Sequence, residues 1–170
     1  MTEPPEQFVK RLQENKIPRV PGTAVFLTRT TDGTPPLMIE HLAQIGTLHE
    51  NLIALTVRFE NEPRVHSPDR LEVVQVLDRF WHVTVRYGFI EVPDLPAALR
   101  EAKELAPQVD LDKAVYFAAR DEAIHSKTGG ALSWWRLPIF AFLFRNSVRA
   151  SDLFNLPAYN FVEMGRQIEI

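Results

Sequence analysis

Histidine and glutamate stand side by side at His49-Glu50, a pair that also begins the zinc-binding motif of metalloproteases. That motif needs a second histidine three residues beyond the glutamate, and Ile53 occupies this position. The five histidines are scattered, and no two of them are three or four residues apart. The absence of cysteine excludes thiolate ligands, thiol nucleophiles and disulfides. We therefore expect no metal site and no cofactor.

Phosphate-binding and hydrolase motifs are also missing. The segment Ser126-Lys127-Thr128-Gly129-Gly130 contains the residue types of a phosphate-binding loop in the wrong order, because that loop places glycine before lysine. With seven glycines in all, the chain has neither a Gly-x-Gly-x-x-Gly loop nor a Gly-x-Ser-x-Gly elbow. Carboxylate pairs such as Asp121-Glu122 are merely adjacent in sequence. The sequence predicts no catalytic residues and no enzyme.

Three arginines stand in or just after predicted strands: Arg58, Arg86 and Arg120. A guanidinium at such a place can face a cleft and pair with phosphate through its planar fork. Ion pairs within the fold are the more common reason to hold arginine there. His49 and Glu50 join these arginines as candidates for a ligand or interface site.

The pair Trp134-Trp135, followed by several phenylalanines, is typical of a core or of a dimer interface. A base-stacking surface is the alternative, but few basic residues lie among these aromatics. The net charge is −3 and neither sign forms a long block. We expect no nucleic-acid partner.

The length and composition of the chain indicate what kind of protein holds these residues. A chain of 170 residues with 45% hydrophobic and 24% charged residues is typical of one soluble globular domain. The N-terminus lacks the basic and apolar regions of a signal peptide. Leu132 to Phe144 is the most apolar stretch, but it is interrupted by Arg136 and Pro138 and is shorter than the roughly 20 residues of a membrane span.

Hydrophobic periodicity predicts the elements that must position the candidates. A short amphipathic helix leads in, and a strand, a helix and a second strand then form a βαβ unit. The middle helix begins at Pro35-Pro36, carries Met38, Ile39, Leu42 and Ile45 on one face, and ends at Gly46. The two predicted strands are Thr23 to Thr28, after an extended connector over Pro18 to Gly22, and Leu52 to Phe59.

A hairpin and alternating helices and strands are predicted for the rest of the chain. The hairpin turns at Asp78-Arg79, and its second strand is expected to have one core face and one partly wet face. Asp94 is placed to cap a helix whose Leu95, Leu99, Ala102 and Leu105 share a stripe. The predicted elements are strands at Leu71 to Leu77, Phe80 to Ile90, Ala114 to Ala119 and Phe161 to Ile170, and a helix at Leu132 to Arg149.

These elements predict an α/β or α+β fold. Its mixed, mostly helix-covered sheet has about six strands, since the βαβ unit needs a parallel pair and the hairpin an antiparallel one. No repeat or internal boundary interrupts it. We expect a lead-in helix over residues 1–17 and a single domain over 18–170.

A series of short motifs runs in order along nearly the whole chain. The motifs are Pro18 to Thr28, Pro35-Pro36, Leu48-His49-Glu50, Leu55 to Val57, Pro63 to Val65, Val85 to Glu91, Pro93 to Pro96, Tyr116-Phe117 with Arg120, Trp135, Leu143 to Asn146, Phe154 to Pro157 and Val162 to Ile170. In order and spacing this set resembles the cytosolic C-terminal region of Kup-type potassium uptake transporters. Each motif alone is weak, and the ordered set is specific.

The resemblance implies a domain on the cytoplasmic face of a proton-coupled potassium transporter, with an assembly or regulatory role. The implied partner is the membrane part of the same transporter, whose ion-binding residues have no counterpart here. The alternative is a nucleotide-sensing module for cyclic di-AMP or another adenine nucleotide, since some related potassium importers respond to cyclic di-AMP through cytosolic domains. Arg58, Arg86 and Arg120 are then the expected phosphate contacts.

The predicted helix at Leu132 to Arg149 is apolar around more of its circumference than one core-facing stripe requires. Some of its aromatic residues must then face another surface. The sequence predicts that this helix forms a homodimer interface or docks on the membrane part or its linker.

Overall fold

The computed structural model describes residues 3–105, 107, 109–124 and 154–169 of the 170-residue chain. Its helices are α1 (Pro5–Glu14), α2 (Pro36–Ile45), α3 (Ser67–Arg70) and α4 (Leu95–Arg100), with 3₁₀ turns at Lys103–Leu105 and Ala158–Asn160. Its strands are β1 (Arg19–Thr28), β2 (Leu48–Glu60), β3 (Leu71–Leu77), β4 (Phe80–Gly88), β5 (Val115–Ile124) and β6 (Phe161–Glu169).

One mixed sheet organises these elements, in the strand order β3-β4-β2-β1-β5-β6. Every neighbouring pair is parallel except β3 and β4, which form the hairpin. The predicted fold class is confirmed, and so are the βαβ unit of β1, α2 and β2 and the hairpin turn at Asp78-Arg79. Arg79 takes a positive φ of 60° in that turn.

Apolar residues cover both faces of the sheet. On one face α1 and α2 bury Phe8, Leu12 and Met38. On the other face α4 buries Leu95 and Leu99. Because helices lie on both sides, the inner strands read as continuous apolar runs rather than as alternating ones.

The face of β4 that carries Phe80, His82, Thr84 and Arg86 is more buried than the expected partly wet face. Phe80, His82 and Thr84 are buried along with the opposite face, and only Arg86 is half-buried. Phe80 belongs to the apolar cluster under α1 and α2, and the His82 ring contacts the Gly33 carbonyl in the loop that follows β1. The alternation of polar residues predicts contact with water along this face, and the structure limits that contact to Arg86 and a pocket lined by His82, Thr84 and Arg86.

Both strands of the βαβ unit begin earlier than the sequence predicts. β1 already pairs with β2 at Arg19↔Leu48, and a β-bulge lies between Val20 and Thr23. The bulge accommodates Pro21, which has no N–H to donate, and Gly22, whose φ is 114°. The predicted connector over Pro18 to Gly22 is therefore mostly strand.

Two helix details also differ. In α2 the buried residues are Leu37, Met38 and His41, whereas Ile45 is 56% exposed. Gly46 ends this helix at φ 76°, as predicted. The helix capped by Asp94 is shorter than the predicted stripe, because a 3₁₀ turn replaces its last part, yet all four stripe residues are buried. The predicted helix at Leu132 to Arg149 lies outside the described residues.

Candidate functional site

Two of the candidate arginines meet at the carboxyl ends of neighbouring parallel strands. Arg58 of β2 stands directly opposite Arg86 of β4 in the strand register. A pocket of about 200 Å³ lies over them. Its lining residues are Thr31, Arg58, Glu72, Val74, His82, Thr84 and Arg86.

Arg86 is held by carboxylates. Its Nη2 lies 2.6 Å from Glu72 Oε2 on β3, and its Nε lies 3.7 Å from Glu60 Oε1 on β2. Its Nη1 also donates to the Asp69 carbonyl at 3.3 Å. Arg58 is exposed and forms no ion pair within the part of the chain that the structure describes. The charge of Arg86 is thus compensated by two carboxylates within the fold. Arg58 is the pocket arginine whose charge no carboxylate of the described residues compensates.

His82 closes the floor of this pocket. Its Nε2 lies 2.8 Å from the Gly33 carbonyl, in the loop that follows β1. Burial lowers its pKa, which favours the neutral ring, with Nε2–H as donor to Gly33. His82 therefore ties the β1–α2 loop to β4.

The other sequence candidates lie apart from this pocket. Glu50 is exposed and pairs with Arg79 at 3.7 Å. Arg120 is on β5, which is separated from β2 by β1. Trp134 and Trp135 lie outside the described residues, and so does the predicted docking helix. The structure therefore brings together Arg58 and Arg86, and none of the other described candidates joins them.

His49 belongs to a second cluster, with His41 of α2. The His41 ring is 3% exposed and packs against Phe26 and Phe117, with ring centroids 5.4 and 4.6 Å apart. The ring of His49 lies 6.3 Å from Phe117. The buried Nδ1 atoms of both histidines have no hydrogen-bond partner among the described residues. Burial lowers both pKa values, and the charge of His49 lowers that of His41 further.

A His41→Leu variant is expected to lose less stability on acidification than the wild type. Because burial holds the pKa of folded His41 below the ordinary 6.5, the unfolded chain binds more protons in this pH region, and stability falls as the pH drops below about 6.5. Thermal midpoints across this range measure the effect, with the exposed His66→Gln variant as control. Equal slopes for His41→Leu and the wild type would contradict the assignment.

A third cluster surrounds Glu91, just after β4. One carboxylate oxygen accepts the backbone N–H groups of Gly88 and Val65 at 2.6 and 3.0 Å. The other oxygen pairs with the Arg70 guanidinium. Both side chains are mostly buried, at 16% and 18% exposure. Arg70, and then the two backbone donors, lower the pKa of Glu91 to about 2.

Arg70 and Tyr87 extend this Glu91 cluster. Arg70 also donates to the Val65 carbonyl at 3.1 Å, and its guanidinium lies 5.1 Å from the centre of the Tyr87 ring. Tyr87 Oη donates to the Asp94 carbonyl at 3.1 Å. The loop between β4 and α4 is therefore fixed at both ends.

Asp94 caps α4 as predicted, since its Oδ1 accepts the Ala97 N–H at 3.0 Å. Its second carboxylate oxygen accepts from Asn155 Nδ2 at 2.8 Å. The Leu95 N–H donates to the Phe154 carbonyl at 3.1 Å. Motifs far apart in sequence, at 85–91, 93–96 and 154–157, thus meet in one place.

Sequence reasoning missed His41, Arg70 and the role of Glu91. Glu91 lies three residues after Gly88, in a motif that the sequence analysis used only for the family resemblance. No pattern of residue spacing predicts its contact with Arg70. His41 follows a proline-started helix and was one of the scattered histidines. Only its position between Met38 and Leu42 could have indicated burial.

No group of three or more histidines and carboxylates in the described ranges is arranged to hold a metal ion. Within these ranges, none of the helices has the length and apolar character needed to cross a bilayer.

Comparison with known proteins gives a consistent match. Residues 21–170 match the sequence model of the family described as K+ potassium transporter C-terminal domain. The chain is 50% identical over 169 residues to the probable potassium transport system protein Kup 4 of Bradyrhizobium sp. strain BTAi1, covering 99% of this chain and 26% of that protein.

Two further relatives agree. Kup 1 of Bradyrhizobium sp. strain ORS 278 is 39% identical, over 98% of this chain and 27% of its own length. Kup of Bordetella avium is 36% identical, over 99% of this chain and 27% of its own length. The chain thus spans about a quarter of the length of the curated relatives it matches. No solved structure matches it.

Proposed function

The chain belongs to the family of K+ potassium transporter C-terminal domains, and we propose that it acts in the assembly or regulation of potassium transport without itself carrying the ion. The observation that carries this proposal is the match of almost the whole chain to about a quarter of each relative, all of which are named as potassium transport proteins. The partner is then the remaining three quarters of such a transporter.

A physical requirement shapes the proposed role. A domain can bias a transporter only if it makes different contacts with it in at least two conformational states. The described part of this chain can make such contacts as a rigid body, because both faces of the sheet are packed and the Glu91 cluster holds the β4–α4 loop. The proposed location is the cytoplasmic face of the membrane, as the resemblance implies.

Deleting residues 18–170 from the full-length transporter is expected to reduce potassium uptake several-fold, or to remove its regulation, while the membrane part still inserts. Rubidium or potassium influx, normalised to the amount of transporter in the membrane, is the measurement. The matched control is Gly165→Ala in the intact transporter, a change at an exposed glycine with no neighbouring atom within 4 Å of the new methyl group. Uptake, expression and regulation that all survive the deletion would refute the proposal.

The nucleotide-sensing alternative rests on a single favourable observation, the juxtaposition of Arg58 and Arg86. Two other features weigh against it. Glu72 and Glu60 already hold Arg86, and the pocket of about 200 Å³ falls below the roughly 300–1,000 Å³ of typical small-molecule sites. This alternative and the predicted homodimer both stay predictions.

A further inference from the structure

Four large apolar side chains are exposed at or just beyond the ends of β2 and β4. Phe89 and Val92, in the loop after β4, are 65% and 86% exposed, and Phe59 and Ile90 are more than half exposed. Phe59 stands opposite Tyr87 in the register of β2 and β4, which places it next to this loop. We call Phe59, Phe89, Ile90 and Val92 the apolar patch.

The loop that carries most of the apolar patch is held rigidly. The Phe89 N–H donates to the Glu62 carbonyl at 2.9 Å, and the Ile90 N–H donates to the Pro63 carbonyl at 3.2 Å. Between the exposed residues, Glu91 turns inward to its ion pair with Arg70. A fixed loop loses little conformational entropy when a partner binds, so its apolar side chains are preorganised for docking.

The start of the chain lies at the same end of the sheet. β1, β2 and β4 are parallel, so the loops that follow them leave from one end. Glu3 lies beside the loop after β1, because its carbonyl accepts the Thr34 N–H at 2.9 Å and its carboxylate pairs with Arg11 at 2.8 Å. That loop is also bonded to β4 through His82 and Gly33.

The charges around the apolar patch favour a protein surface over a lipid surface. Loops that insert into membranes are usually flanked by lysine and arginine, which bind anionic headgroups. Residues 58–94 hold five arginines and no lysine against seven carboxylates, so this region has no excess of positive charge. Next to the loop, Glu62 and Arg64 are both exposed and differ in sign. A rim of mixed charge around an apolar centre is typical of protein interfaces.

We propose that the apolar patch docks on the part of the same transporter chain that precedes this domain. This inference rests on the proposed function, since it takes the domain to be the C-terminal part of a longer transporter. The preceding segment reaches the domain at Glu3, at the sheet end that carries the patch. Its own transporter is therefore brought to the end of the sheet that carries Phe89, Ile90 and Val92.

Cysteine labelling tests the docking, because the chain has no cysteine of its own. Phe89→Cys and Val92→Cys are made singly, both in the 170-residue chain and in the full-length transporter. Labelling by a maleimide is followed by mass spectrometry on the peptide that carries the new cysteine. The rate at both positions is expected to be lower in the transporter by about tenfold, which corresponds to a docked state favoured by about 1.4 kcal/mol.

Ile45→Cys is the matched control, because Ile45 is also more than half exposed but lies at the opposite end of the sheet, just before β2 begins. Its labelling rate is expected to be the same in both proteins. Equal rates at Phe89 and Val92 in both proteins would overturn the docking. Protection that disappears in detergent would assign the patch to lipid, and protection of the isolated chain that grows with its concentration would assign it to a second copy. Either result would also overturn the proposal.

The labelling result is independent of transport. A transporter whose uptake does not respond to deletion of residues 18–170 can still show protection at the patch, which would reject the regulatory role and keep the docking. Conversely, the deletion can strongly reduce uptake while the cysteines at positions 89 and 92 are labelled equally fast in both proteins. That result would support the assembly or regulatory role and reject the apolar patch as the docking surface.

Discussion

Replacing Gly88 with alanine is expected to destabilise the chain by about 3 kcal/mol or more, which is a large part of the stability of a typical domain. A Cβ atom at this position would lie 2.2 Å from the Pro63 carbonyl oxygen and 2.5 Å from the Arg64 nitrogen. Both are backbone atoms, so no side-chain rotation can relieve the overlap. The displacement would also pull the Gly88 N–H away from the Glu91 carboxylate.

Urea unfolding followed by circular dichroism gives the free energy of unfolding of this variant. Gly165→Ala is the matched control, because Gly165 also lies in a strand but has no heavy atom within 4 Å of the new methyl group. Its free energy of unfolding is expected to stay within about 0.5 kcal/mol of the wild type. Similar stabilities of the two variants would show that the Pro63 backbone is not packed against Gly88.

Replacing Glu91 with glutamine is expected to cost about 2–3 kcal/mol of stability at neutral pH, because it breaks a mostly buried ion pair and leaves Arg70 without a carboxylate. The remaining amide oxygen can still accept from Gly88 and Val65. The amide nitrogen, which only donates, would then face the Arg70 guanidinium. Glu14→Gln is the control, since its pair with Lys10 is exposed on both sides and contributes little.

The same variant has a distinct pH dependence. The pKa of folded Glu91 is about 2, against an ordinary value of 4.5, so between these values the unfolded chain binds more protons than the folded chain. The stabilisation by Glu91 is therefore complete above pH 4.5 and is lost as the pH falls toward 2. Unfolding curves of wild type and Glu91→Gln should converge over this window. Curves that stay parallel, or that already coincide at neutral pH, would contradict the role of the ion pair.

Part of the candidate site could be predicted from the sequence. Arg58 and Arg86 stood out because each is an arginine in a predicted strand, where its guanidinium can face a cleft. The sequence does not predict that they stand opposite each other, because this depends on the register between β2 and β4. These two strands are neighbours in the sheet, but β3 lies between them in sequence. The carboxylates that hold Arg86 lie on two different strands, so no local pattern reveals that its charge is already compensated.

The sequence by itself determined the elements whose signals are local. The period of apolar residues set the βαβ unit and the hairpin, Gly46 set the end of α2, and Asp94 set the start of α4. Each of these signals acts within about four residues of its own backbone, which is the reach of a helical turn or a cap.

Only the tertiary structure decided what depends on distant partners. The burial of His82 follows from helices on both faces of the sheet, and the need for glycine at position 88 follows from the close approach of Pro63. Arg70 and Glu91 are 21 residues apart and meet because the chain turns through a complete hairpin between them. Such contacts are fixed by strand register and packing, which the one-dimensional pattern of residue types does not encode.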